Sequence, residues 1–176
     1  MSQASLKAAL MTTIAGIQEH PDAAKMEVRA DTQLEADLRC SAKVRDFPPL
    51  ILDEPPDLGG GNGGMNPVEL VLVALGTCQE IIYSAYAAVM GVPLNSVKVS
   101  LHGDLDLRGL FGMDTAVPPG YQRIAFETEL DSPADSETLR KLVETVESHC
   151  PVLDTLARAI EVDGSVTING QLLKAA

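Results

Sequence analysis

The chain has 176 residues, 45% of them hydrophobic and 22% charged, which suffices for one domain with its own core and is too apolar for a disordered segment. Thirteen basic against 25 acidic residues give a formal net charge of -12, so phosphate backbones and anionic lipid surfaces are repelled, and neither nucleic acid nor a membrane is expected as a partner. Aromatic residues make up 3% with no tryptophan, which excludes base-stacking platforms and leaves a small molecule as the expected ligand.

Leu6, Leu10, Ile14 and Ile17 recur at helical spacing and predict an amphipathic helix over residues 4–18, stopped before His20 and Pro21. Residues 1–22 are read as a helical N-terminal extension to a domain over 23–176. Thr12, Thr13, Glu19 and Asp22 and the single preceding lysine argue against a secretory signal. Short strands are expected at 26–30 and 50–52. Between them, residues 33–45 alternate strictly, with Leu34, Ala36, Leu38, Cys40, Ala42 and Val44 on one side, which predicts one long half-buried strand in an antiparallel sheet.

Residues 53–66 hold two prolines and five glycines and are expected to form a flexible loop. Gly59, Gly61 and Gly64 mimic a dinucleotide-binding spacing, but Pro55 and Pro56 separate them from the strand and no ribose-binding acid follows at the right place. Asn66, Pro67 and Glu69 form a helix start, and Gly91 with Pro93 form a stop. The helix between them is apolar, yet Glu69, Gln79 and Glu80 mark it as a core helix and not a membrane span.

Two alternating runs follow, Val97 to Leu107 and Ile124 to Leu130, joined by a loop over 108–121 able to cover a site. Ser132, Pro133 and Asp135 start a second helix with Leu139, Leu142, Val143 and Val146 inward, Pro151 starts a short third one, and a final hairpin is placed around Asp163 and Gly164. This order of elements predicts an α+β fold.

Three cysteines are too few and too widely spaced for a disulfide framework, and a reducing cytoplasm is the expected compartment. Cys40 lies on the apolar side of its strand and is read as core. Cys78 has Val71, Ala74, Leu75, Ile81 and Ile82 around it on the helix and reads, by burial alone, as a small hydrophobe. Cys150 stands between His149 and Pro151 at a helix start, a position that favours a thiolate, so a reactive and a structural role both stay open. No histidines and cysteines stand at metal-ligand spacing, no serine nucleophile motif is present, and neither a metal nor a cofactor is expected.

Asp53-Glu54-Pro55, the glycines of 59–64, Asn66-Pro67-Val68-Glu69-Leu70, Ala74-Leu75-Gly76-Thr77-Cys78 and Cys150-Pro151-Val152 together resemble the OsmC/Ohr family of thiol-dependent hydroperoxide reductases, over roughly residues 25–168. The resemblance implies an α+β fold with antiparallel sheets packed around the cysteine-bearing helix. It further implies an intertwined homodimer with sites near the subunit interface, organic hydroperoxides as substrates, and a dithiol reductant such as a lipoyl group. It assigns attack on the peroxide to Cys78 and its capture as a disulfide to Cys150, with Val68, Val71, Leu75 and Ile82 around the substrate. The family's site arginine comes from the N-terminal strands, where Arg39 is nominated and Arg29 and Arg45 are rivals. One departure stands out: peroxidatic members carry a glutamate directly after the helix-start proline, where this chain has Val68. Glu69 is turned by about 100° and does not substitute for it. Two functions are therefore expected to compete, an antioxidant peroxidase of the stress response and an OsmC-like protein that binds a small ligand or senses oxidants with little turnover.

Overall fold

The computed structural model describes residues 2–173. Helix α1 (Gln3–Glu19) is capped by Ser2 and lies against the next long helix, where the Gln3 amide donates to the carbonyl of Val92. It ends at His20 as expected, but no strand forms at 26–30.

The long strand expected over 33–45 is a hairpin. Strand β1 (Asp31–Ala36) turns at Asp37 and Leu38 into β2 (Arg39–Lys43), which pairs on its other side with β3 (Leu50–Leu52), all antiparallel. Asp37 takes the left-handed φ of 50° at the turn, a conformation that a short polar side chain tolerates. The register shift between Leu34 and Ala36 offsets the two-residue turn and keeps Leu34 and Cys40 on one side, so alternation alone does not reveal where the chain doubles back. The described residues cover the apolar side of this sheet only in part: Leu52 is buried and Cys40 half-buried, while Leu34 and Leu50, Leu38 at the turn and Phe47 beyond β2 are exposed.

Helix α2 (Pro67–Met90) begins and ends where its local chemistry dictates. The Asn66 side chain accepts from the Glu69 N–H at 2.8 Å and the Glu69 carboxylate accepts from the Asn66 N–H at 2.8 Å, a complete capping box. Gly91 closes the helix at a left-handed φ of 72°. By length and composition α2 could cross a membrane, yet α1, β4 (Ser96–Asp104), α4 (Ser136–His149) and α5 (Pro151–Ala157) pack around it, and its Glu80 accepts from the Val99 N–H of the adjoining sheet. Asn66→Ala is expected to cost about 1 kcal/mol, read as a fall in Tm of about 2–4 °C in thermal denaturation.

Strands β4 (Ser96–Asp104) and β5 (Arg123–Asp131) form an antiparallel pair in unbroken register, with Val97, Val99 and Leu101 turned toward α2. The first run stops short of the expected Leu105 and Leu107, because Asp106 caps a single helical turn, α3 (Leu107–Leu110), through the Arg108 N–H. Gly76 lets the sheet close on α2: a Cβ there would stand 2.7 Å from Leu101 Cδ1.

Helix α4 (Ser136–His149) starts three residues later than expected, since Asp135 and not Ser132 caps it, accepting from Thr138. Ser132 instead donates to the carbonyl of Pro93. Its inward residues Leu142 and Val146 join Tyr83, Ala87 and Val92 in the core, with Leu139 and Val143 packed beside them. After Cys150 comes α5 (Pro151–Ala157). The last hairpin, β6 (Val166–Ile168) and β7 (Gln171–Leu173), turns at Asn169 and Gly170, both at positive φ, and not at 163–164. Asn-Gly is the stronger signal for a two-residue turn.

Candidate active site

Two helices bring two thiols together. Cys78 sits midway along α2, half-buried, and Cys150 is the single residue between α4 and α5, with none of its surface exposed. Their Sγ atoms are 3.4 Å apart, across 72 residues of chain. A disulfide needs about 2.05 Å, so a shift of little more than an ångström joins them. Burial pushes the Cys78 thiol above its ordinary pKa, the backbone N–H of Val152 pulls the other way, and the neighbouring Cys150 thiol adds to the rise. The first turn of α5 therefore donates to Cys78 rather than to Cys150, the residue for which the sequence suggested it.

His149 does not serve Cys150 either. Its Nδ1 lies 2.8 Å from the carbonyl of Thr145 and 2.9 Å from the Ser148 hydroxyl, and its ring packs on Tyr86. Cys40 is half-buried on β2, paired across the strands with Leu34 and Leu52.

Beside the thiol pair an open apolar cavity of about 600 Å³ is walled by Val68, Val71 and Leu75 of α2, Ile124 and Phe126 of β5, and Leu153 and Leu156 of α5. That volume is in the range of small-molecule sites. Val68, Val71, Leu75 and Cys78 succeed one another at helical spacing, so the wall leads along one stripe of α2 to the thiol. Ile82, expected in the same wall, packs on the far side of Cys78 against the core.

The loop before β5 contributes a residue that the sequence did not single out. Tyr121 lines the cavity and its hydroxyl donates to the Val68 carbonyl at 2.8 Å. Gly103 makes room for its ring: a Cβ there would lie 2.4 Å from Tyr121 Cε1. A lone tyrosine directly after Pro118-Pro119-Gly120, at the end of the loop, was the available signal.

The loop over 53–66 is held, not slack. Asp53, 6% exposed, accepts from the N–H groups of Glu54, Gly61 and Gly63, which hold its carboxyl below the usual carboxylate range. The Glu54 carboxylate accepts from the Asn66 amide at 3.2 Å, tying the loop to the start of α2. Gly64 crosses so close to β3 that a Cβ would stand 2.2 Å from the Ile51 carbonyl oxygen.

Arg39 lies at this loop, its Nε 3.5 Å from Glu35. Arg29 is paired with Glu27 at the surface, and Arg45 lies over the Phe47 ring at 4.6 Å. Besides burial, the groups among the described residues that set the Cys78 thiol are Val152 and Cys150, and no arginine is among them.

The family model for OsmC-like proteins matches residues 59–164. This chain belongs to the OsmC family. Solved structures bear out the OsmC-like fold. An OsmC-like protein from Mycoplasma pneumoniae aligns with a TM-score of 0.65 at 19% identity, over 76% of this chain and 89% of that one. An OsmC-like protein of unknown function from Vibrio cholerae gives 0.61 at 11% identity, over 74% and 94%. An organic hydroperoxide resistance protein from Legionella pneumophila gives 0.57 at 20%, over 75% and 91%. No curated protein matches the chain by sequence.

Alkylation of Cys78 by iodoacetamide, followed by peptide mass spectrometry across pH, tests the thiol's environment. A raised pKa leaves less thiolate at neutral pH than in an ordinary cysteine. The rate for the isolated chain is therefore expected to keep climbing above the pH at which a free cysteine has levelled off.

Proposed function

We propose that this OsmC-family chain is a thiol-dependent peroxidase for organic hydroperoxides, cycling between a Cys78/Cys150 dithiol and their disulfide. The observation that carries it is the 3.4 Å approach of the two sulfurs beside an apolar cavity. Cys78, as thiolate, attacks the terminal peroxide oxygen. The O–O bond breaks, the sulfur takes that oxygen as a sulfenic acid, and the alkoxide leaves and is protonated to an alcohol. Cys150 then attacks the sulfenic sulfur, the S–S bond forms, and water departs. A dithiol reductant such as a lipoyl group resets the pair by exchange, becoming a disulfide itself.

The thiolate needs a cation, and Arg39 is the group proposed to supply it within a homodimer. The partly exposed apolar side of the β1–β3 sheet, which carries Arg39 at its turn, supports burial against a second copy. The net charge of -12 supports a neutral substrate over nucleic acid or lipid surfaces, and three free cysteines support a reducing cytoplasm.

Val68 supports a second reading, a binding or sensing protein with little turnover. It occupies the cavity wall at the position of the family's glutamate and brings no charge toward Cys78. The experiment is to add excess organic hydroperoxide to reduced protein, with and without a dithiol reductant, and follow peroxide loss and the disulfides formed. Sustained turnover with a Cys78–Cys150 bridge upholds the peroxidase; a bridge formed once, without turnover, upholds the sensor, and a Val68→Glu variant that then gains turnover identifies the missing group.

A further inference from the structure

We propose that Asp53 and Gly63 are positioning residues for Arg39, forming a seat that holds its guanidinium in one place; this rests on the reading of Arg39 as the cation of the site.

An arginine that is half-exposed has side-chain entropy to lose and takes one geometry only where something holds it. The Arg39 side chain is 45% exposed, and three features of its surroundings hold it. The Asp53 carboxylate faces it across the same recess and attracts it without a direct ion pair, and both of its oxygens are engaged by the backbone N–H groups of Gly63, Gly61 and Glu54. Glu35 faces its Nε from the other strand of the hairpin. Gly63 lies directly under the guanidinium: a Cβ built there would stand 2.8 Å from Arg39 Nη1 and 3.2 Å from Asp53 Oδ2. The same point is therefore close to both charges, and only a residue without a side chain leaves it open.

The recess is also indexed to the helix that carries Cys78. Arg39, Leu38, Asp53 and Gly59 share its wall. Glu54, next to Asp53, grips the Asn66 amide that caps α2. Arg39 and Asp53 face each other across the recess, and Glu54 ties that recess to the first turn of α2. That geometry holds whether Arg39 serves the thiol of its own subunit or that of a second copy.

The bland account is that Asp53 merely ties the glycine loop, and Gly63→Ala separates the two. Gly63 has no positive φ, so alanine suits its backbone, and the atom met at 2.8 Å is the far end of a flexible side chain. The guanidinium is displaced, while Asp53 Oδ2 at 3.2 Å has to give by only a few tenths of an ångström, which the melting curves read. The test uses full-length protein as wild type, Gly63→Ala, Asp53→Asn, Arg39→Ala and the Arg39→Ala/Gly63→Ala double variant, with melting curves as a control on folding. The readouts are Cys78 alkylation against pH and organic-hydroperoxide consumption.

Gly63→Ala is expected to move the alkylation profile toward higher pH and to slow peroxide consumption about ten- to a hundredfold, the scale of an ångström's misplacement. Asp53→Asn is expected to act in the same direction. In the Arg39→Ala background, Gly63→Ala is expected to add nothing. A wild-type profile in Gly63→Ala beside a shifted one in Arg39→Ala overturns the seat and leaves the site arginine standing. A wild-type profile in Arg39→Ala overturns the site arginine, and the seat with it.

Discussion

Cys78→Ser protein is expected to consume organic hydroperoxide no faster than background, a loss of at least about a thousandfold, because a serine hydroxyl stays protonated where a thiol can ionise. Cys150→Ser is expected to behave differently. Its Cys78 still meets the first equivalent of peroxide, but the sulfenic acid has no partner at 3.4 Å and persists. Dimedone labelling of Cys78, read by peptide mass spectrometry, should be strong in Cys150→Ser and weak in wild type, while turnover under a dithiol falls. Equal peroxide consumption by wild type and Cys78→Ser would remove the thiol cycle altogether. Rapid consumption by Cys150→Ser without labelling would mean that an external thiol resolves the intermediate.

The second large effect is on the scaffold that creates the pair. Leu142 and Val146 have no exposed surface and lock α4 against Tyr83 and Ala87 of α2. Leu142→Ala should cost about 2–5 kcal/mol, a large part of the roughly 5–15 kcal/mol that holds a domain together. Denaturant titration reads the loss directly. Because Cys150 ends α4, the same variant should also slow disulfide formation at temperatures where it remains folded. A loss below about 1 kcal/mol would mean that the site collapses onto the vacancy far better than buried leucines usually do.

Acid acts on a different part of the site. The Asp53 carboxyl titrates below the usual carboxylate range in the folded chain, so its contribution to stability is present above the ordinary carboxylate pKa and is lost as pH falls through the lowered one. Asp53→Asn should flatten that part of the acid-denaturation curve.

Much of the framework was legible from neighbouring residues alone. The box between Asn66 and Glu69 and the stop at Gly91 follow from hydrogen bonds that span three or four residues, so α2 stands where its sequence puts it. The inward face of α4, Leu139, Leu142, Val143 and Val146, follows from helical spacing in the same way. The resemblance named the family, and the match to residues 59–164 agrees with it.

Other features were out of reach for a physical reason. The hairpin at Asp37 hides inside an unbroken alternation, because the register shift between Leu34 and Ala36 cancels the change of side that a two-residue turn brings, and only the pairing of Leu34 with Cys40 exposes it. Asp135 and not Ser132 caps α4, while Ser132 accepts from the Ala134 N–H in the turn before it and donates to the Pro93 carbonyl, 39 residues away. The loop at 53–66 has the composition of a flexible segment, yet Asp53 and Glu54 gather its backbone and bind it to the cap of α2. Tyr121 reached Val68 across 53 residues.

Sequence by itself determined α1, α2 with its caps, the inward face of α4, the family and the two cysteines worth following, since each rests on local spacing or on a motif. Tertiary structure alone decided which thiol receives the amide of Val152, that Ile82 belongs to the core and not the cavity, and that Arg39 lies over Gly63. Those outcomes depend on how α2, α4, α5 and the glycine loop pack, and packing is settled by contacts between residues that no local pattern relates.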